Sequence, residues 1–145
     1  MVDVSDPALV EAYNEVQTSE EINWCLFGYT DNTQKVLALE GKGNGGIEEL
    51  KGKLADDKCL YAYVKFITGD EESKRTKFLF ITWVGEKVSP LRRARISVHK
   101  ADVKTIVKNF AVEVHCTTLD EVDEEEFKKL LVKAGGANYS GNIQA

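Results

Sequence analysis

The sequence predicts an α+β domain in which a central mixed five-stranded β-sheet is flanked by four helices. Three observations carry that reading. Apolar periodicity switches between helical and strand spacing along the chain in the order α-β-β-α-β-β-α-β-α. Short polar connections join neighbouring strand-like runs, as antiparallel pairing allows, and there are too few βαβ units for a doubly wound sheet. The 145 residues, 43% of them hydrophobic, supply one well-buried core and are too few for two ordinary domains. A single domain over residues 1–135 and a flexible tail over 136–145 are therefore expected.

Each element has a local cause. Ser5 or Asp6 can cap a first helix that has Pro7 in its first turn and Leu9, Val10, Tyr13 and Val16 at helical spacing. "NWCLFGY" and "KVLALE" are strand-like, and Asp31 and Asn32 in the intervening "TDNTQ" suit a turn, so the pair reads as an antiparallel hairpin. "GIEELKGKL" is a short second helix. "CLYAYVKFIT" and "KFLFITWV" are rich in aromatic and β-branched residues, which fit a pleated, half-buried surface, and "GDEESKRT" joins them. A long helix is expected from Ser89 to Phe110, "AVEVHC" is the last strand, and "DEVDEEEFKKLLVKAGG" is a helix with acids first, lysines last and Gly135 to stop it.

Several function classes lack support. "GKGNGG" fits G-x-G-x-x-G at Gly41, Gly43 and Gly46, but its strand is half of a hairpin and no second mononucleotide half follows, so a flexible strand-to-helix turn is the better reading. His99 and His115 stand apart, and no nucleophile elbow or zinc-binding helix motif is present, so no enzyme activity is expected. Cys25, Cys59 and Cys116 each sit inside a strand-like run, where a thiol acts as a small hydrophobe. No metal or other cofactor is expected. The Glu124 to Glu126 run is most simply a solvated helix start. No stretch approaches 18 apolar residues and the N-terminus has no basic segment before a hydrophobic run, which leads us to expect a cytoplasmic protein that is not integral to a membrane.

Charge is distributed unevenly. The net charge is −5, yet between Ser73 and Lys108 ten Lys or Arg face two acids, a local +8, while nine face twenty-two elsewhere, giving −13. Such polarity favours an oriented encounter with an acidic surface. A sequence pI of about 5.1 speaks against nucleic acid, whose partners are usually basic.

The long helix carries two apolar stripes. Val103, Ile106, Val107 and Phe110 form one; Leu91, Ala94, Val98 and Ala101 form another on nearly the opposite side, edged by Arg92, Arg93 and Arg95. Either the helix bends near Lys100, leaving solvated arginines, or the first stripe is exposed for a partner.

The element order, with "GDEESKRTKFLFITW", "HKADVKTIVKNFAVEV" and the ending "KAGGANY", resembles the actin-depolymerising-factor/cofilin homology family over essentially the whole chain. "SKRTKF" and "KAGGANY" resemble one filament-binding branch of it, and "SPLRRARI" resembles the family's general actin-binding helix. The resemblance implies an ADF-homology fold and a cytoskeletal monomer that binds along filamentous actin without nucleotide or metal, with little or no severing and with interference in filament-end capping. Carried over by position, it implies contact by Leu91, Arg92, Arg93, Arg95 and Val98, by Lys77 with Lys74 and Arg75 assisting, and by Lys133 near the C-terminus. A lysine that opens a strand is otherwise a common guard against edge pairing. The family's N-terminal regulatory serine is not carried over, because Ser5 has a capping role. The same cations leave two other readings open: a binder of phosphoinositides at a membrane surface, and a chaperone-like scaffold for another acidic protein.

Overall fold

The computed structural model describes residues 2–69, 72 and 74–137. Its helices are α1 (Pro7–Thr18), α2 (Gly46–Lys51), α3 (Pro90–Val103) and α4 (Glu124–Ala137); its strands are β1 (Trp24–Tyr29), β2 (Leu37–Gly43), β3 (Cys59–Thr68), β4 (Arg75–Val84) and β5 (Val112–Cys116). One sheet forms in the order β2-β1-β3-β4-β5. Three pairings are antiparallel, and β5 joins β4 in parallel after the chain crosses back through α3. The mixed five-stranded sheet and four helices expected from the sequence are therefore present.

Strand alternation sends side chains to two apolar faces, and each face has its own pair of helices. Phe27, Tyr61, Tyr63 and Phe80 pack with Leu9, Tyr13 and Val16 of α1 and with Ile96 and Val103 of α3. Trp24, Leu26, Val64, Leu79 and Ile81 pack with Ile47 and Leu50 of α2 and with Phe127 and Leu131 of α4. Burial of each such side chain contributes about 1.5–3 kcal/mol, so the sheet is a rigid platform for whatever its ends present. Cys25, Cys59 and Cys116 are buried thiols, and burial pushes Cys25 and Cys116 up to about 12.

Local departures from expectation have identifiable causes. Asp6 is the α1 cap, accepting from the Ala8 amide, while the Ser5 hydroxyl turns to Asp3. On α1 the apolar stripe uses Ala12, and Val10 is left exposed. Gly41 and Gly43 belong to β2 itself and pair with Leu26 and Trp24, so the glycine run is mostly strand and only Gly46 opens a helix. A bulge near Glu40 lets this edge strand pass the Leu26/Phe27 step. β4 begins at Arg75, two residues before the expected start. The helix expected to reach Phe110 stops at Val103, where Thr105 bonds back to the Asp102 carbonyl, and the chain turns before β5. The two stripes therefore do not share one helix: Ile106 and Val107 reach the core from the turn. At the C-terminus α4 continues through Ala137 rather than stopping at Gly135, and residues 138–145 of the expected tail lie outside the described residues.

Candidate functional site

The α3 start is built by three converging loops. Ser89 caps it by accepting from the Arg92 amide at 3.3 Å, and Pro90 occupies the first helical turn. The loop before it is pinned to the α2–β3 connection, with Gly85 N donating to Lys58 O at 3.0 Å and Lys87 N to Asp56 O at 2.7 Å. Gly85 has to be glycine there, because a Cβ would collide with the backbone of Asp56. From this anchored turn the arginines fan outward over different loops. Arg92 donates to Asp57 O at 3.4 Å, Arg93 to Val88 O at 3.1 Å, and Arg95 to Gln34 Oε1 at 3.3 Å. These acceptors are carbonyls rather than carboxylates, so the bonds orient the guanidinium groups without neutralising them.

The apolar stripe of α3 faces solvent. Leu91 is 63% and Val98 64% exposed, and Ala94 and Ala101 are exposed between and beyond them, whereas Ile96, His99 and Val103 are buried on the opposite side. Both alternatives are thus met in part: the helix breaks at Val103, close to the bend expected near Lys100, and the first stripe is exposed. Leu91 and Val98, edged by Arg92, Arg93 and Arg95, form one continuous apolar and cationic surface.

A second cationic group lies elsewhere. Lys74 and Arg75 are exposed and Lys77 is half-buried where β4 begins. Among the described residues none of the three has a carboxylate partner within salt-bridge distance. Lys77 stands opposite Phe66 in the β3–β4 ladder, and Phe66 meets Phe127 of α4 edge-on with ring centroids 6.5 Å apart. Lys77 therefore belongs to the α2/α4 face, and α3 to the other. Lys133 is exposed on α4. About 23 Å of extended strand separates Lys77 from Val84, which leads into the α3 loop. The sequence-derived residues thus divide between two surfaces at opposite ends and on opposite faces of the sheet.

Not every cation of the basic stretch is available. Glu113 of β5 binds Lys104 at 2.7 Å and Lys100 at 3.0 Å. Burial raises the Glu113 carboxyl, but hydrogen bonds and charge from the two lysines outweigh it and hold the group below the usual carboxylate range. Lys87 pairs with Asp56. Sequence counting could not reveal these neutralisations, since both acids lie outside or across an element from their lysines. A third residue it missed is Gln34, which touches the helix start from the β1–β2 turn and has no motif to mark it. Among the described residues no three His, Cys, Asp or Glu side chains are grouped to hold a metal, and no helix is long and apolar enough to cross a membrane.

A three-layer fold with a solvent-facing, arginine-edged helix start is the form of an actin-binding module of the cofilin type. The family model described as cofilin/tropomyosin-type actin-binding protein matches residues 1–131. Coactosin of Dictyostelium discoideum is 49% identical over 144 residues, covering 98% of this chain and 97% of the relative. The crystal structure of coactosin from Entamoeba histolytica superposes with a TM-score of 0.86 at 38% identity, covering 94% of this chain and 98% of that one. The solution structure of mouse coactosin, an actin filament binding protein, has a TM-score of 0.75 at 35% identity and covers 99% of each chain. The chain belongs to the cofilin-type actin-binding family, on its coactosin branch.

Proposed function

We propose that this protein is a cytoplasmic regulator that binds as a monomer along actin filaments, through Lys74, Arg75, Lys77 and Lys133 on one surface and Leu91, Arg92, Arg93, Arg95 and Val98 on the other. The observation that supports it is the separation of the two surfaces. A single small acidic epitope cannot meet both ends of a rigid sheet, whereas a polymer that repeats its acidic surface can. The filament binding stated for mouse coactosin supports the same choice. Little or no severing, and interference with capping at filament ends, belong to this reading on the strength of the branch resemblance.

Co-sedimentation with filamentous actin at low and moderate salt, with wild type beside Lys77→Ala, tests it. Wild type should pellet in a salt-sensitive way, because screening weakens exposed charge attraction. Lys77→Ala should keep its stability within about 0.5 kcal/mol, as exposed or half-exposed substitutions usually do, and should pellet less. Wild type that stays in the supernatant at both salts would remove the filament reading; a variant that pellets fully would remove Lys77 from the contact.

A further inference from the structure

A buried glutamine in a hairpin turn needs a reason, and Gln34 has two unusual features. It is only 1% exposed, and its backbone φ of +58° lies in the left-handed region that residues other than glycine, asparagine and aspartate seldom enter. The turn is shaped to hold it so: Gln34 N donates to Asp31 O at 3.2 Å, and the Asp31 carboxylate receives the Thr33 amide and hydroxyl.

The Gln34 amide is turned toward the start of α3 and the first residue of β3. Its Nε2 donates to Arg92 O at 3.3 Å and approaches Cys59 Sγ at 3.9 Å, and its Oε1 accepts from the Arg95 guanidinium at 3.3 Å. The chemistry of the neighbours settles which end of the amide is which. A carbonyl can only accept and a guanidinium can only donate, so the nitrogen must face Arg92 and the oxygen Arg95. One side chain thereby ties the β1–β2 turn, the first residue of β3 and the first turns of α3 together, directly beneath the arginines.

We infer that Gln34 is a positioning residue for the arginine cluster: its amide fixes the orientation of the α3 start, and of Arg92 and Arg95 with it, toward the acidic partner. The inference rests on the α3 start being a binding surface, as proposed above. Its chemistry explains why a residue without exposure or charge governs an electrostatic contact, since cations on long flexible stems attract a partner well only when their directions are set beforehand.

Gln34→Asn is the discriminating variant. Asparagine tolerates the left-handed backbone and carries the same amide, but it is one methylene too short to reach Arg92 O and Arg95 together. Amide hydrogen exchange on the free proteins and co-sedimentation with filamentous actin are measured for the wild type, Gln34→Asn, Arg95→Ala, Lys77→Ala and the two double variants that carry Gln34→Asn. Exchange in Gln34→Asn should quicken in the first two turns of α3 and stay unchanged in β3 and β4, with filament affinity lowered about three- to tenfold. In the Arg95→Ala background the same substitution should cost clearly less than in the wild type, because only the bond to Arg92 O is left to lose, and in the distant Lys77→Ala background it should have its full effect, because coupling is confined to groups that share a partner. Unchanged exchange in α3, or equal weakening in the Arg95→Ala background, overturns the inference. Should wild type fail to pellet, the filament reading falls, and the exchange pattern alone decides whether Gln34 holds the helix start. If Gln34→Asn does not fold, Gln34→Met, which keeps the side-chain length and removes the amide donors and acceptor without adding charge, gives the same comparison.

Discussion

Leu91 and Val98 stand on the exposed side of α3 at a spacing of two helical turns, left open to solvent by the described residues. A leucine so exposed contributes little to folding. Leu91→Ser should therefore change stability by no more than about 0.5 kcal/mol. If the side chain is buried by a partner, losing that burial costs about 1–2 kcal/mol, which corresponds to roughly a five- to thirtyfold weaker complex. A thermal melt and a sedimentation isotherm on the same preparation separate the two quantities, and an isotherm unchanged by the substitution would place Leu91 outside the contact. The arginines are less separable. Arg93 bonds the carbonyls of Val88 and Glu86, and Arg92 that of Asp57, so removing either also loosens the loops beneath it, and their variants need a melt before a binding loss is assigned to lost charge. The spacing of Leu91, Ala94, Val98 and Ala101 was legible as a stripe in the sequence. That it faces water was not, because one stripe of a helix can be identified as core only against the element it packs on.

Helix α3 illustrates how local signals combine with tertiary ones. Its start was plain from "SPLRR": a serine whose hydroxyl satisfies an otherwise orphaned amide, followed by a proline whose missing donor costs nothing there. Ser89→Ala should accordingly lower stability by about 1 kcal/mol and the melting temperature by about 3 °C, with hydrogen exchange quickened in the first turn of α3. Exchange raised evenly over the whole sheet instead would show that the cap does not act locally. The end of α3 was misplaced by seven residues for a definite reason. Val103, Ile106, Val107 and Phe110 keep helical spacing, and a chain that leaves a helix by a turn and then enters β5 can bury the same residues as a continued helix would. Periodicity reports which residues are buried, and it does not report whether one helix buries them. In β2 the error ran the other way, as glycines read as a flexible turn proved to be strand residues at the sheet edge, where pairing with β1 on one side outweighs their weak strand preference.

Across the entire fold, burial sets a common pH dependence. His99 sits 6% exposed between α3 and the sheet, its Nδ1 2.9 Å from the Tyr29 hydroxyl, which also meets the Tyr61 hydroxyl at 2.8 Å. Burial, with a smaller contribution from Arg95, holds His99 below the ordinary histidine value. Folded histidines with lowered values resist protonation, so as pH falls past about 6.5 the unfolded chain takes up protons first and stability declines. Glu113 acts in the same direction further down: its lowered carboxyl stabilises the fold above the ordinary carboxylate value of about 4.3, and that contribution is lost as pH falls through its folded value. Urea midpoints at pH 7.5 and 5.5 should therefore differ, with the lower midpoint at pH 5.5. Equal midpoints would mean that His99 takes up a proton in the folded protein as readily as in the unfolded chain.

The element order, the antiparallel hairpins, the core residues of the strands and the family all lay in the linear pattern of residues, because alternation, capping and turn chemistry act between neighbours a few positions apart. The resemblance carried the candidate residues with it, and "SKRTKF" and "SPLRRARI" named both basic groups. Only the folded chain decided how those groups stand to each other. The direction of β4 and the crossover through α3 place Lys77 and Arg92 at opposite ends and on opposite faces of the sheet, Glu113 and Asp56 neutralise three of the lysines, and Gln34 joins the turn to the arginines from 58 residues away in the sequence. Each of these is a through-space relation between segments far apart in the chain. Such relations are set by which strands pair and which faces are covered, and no window of sequence contains them.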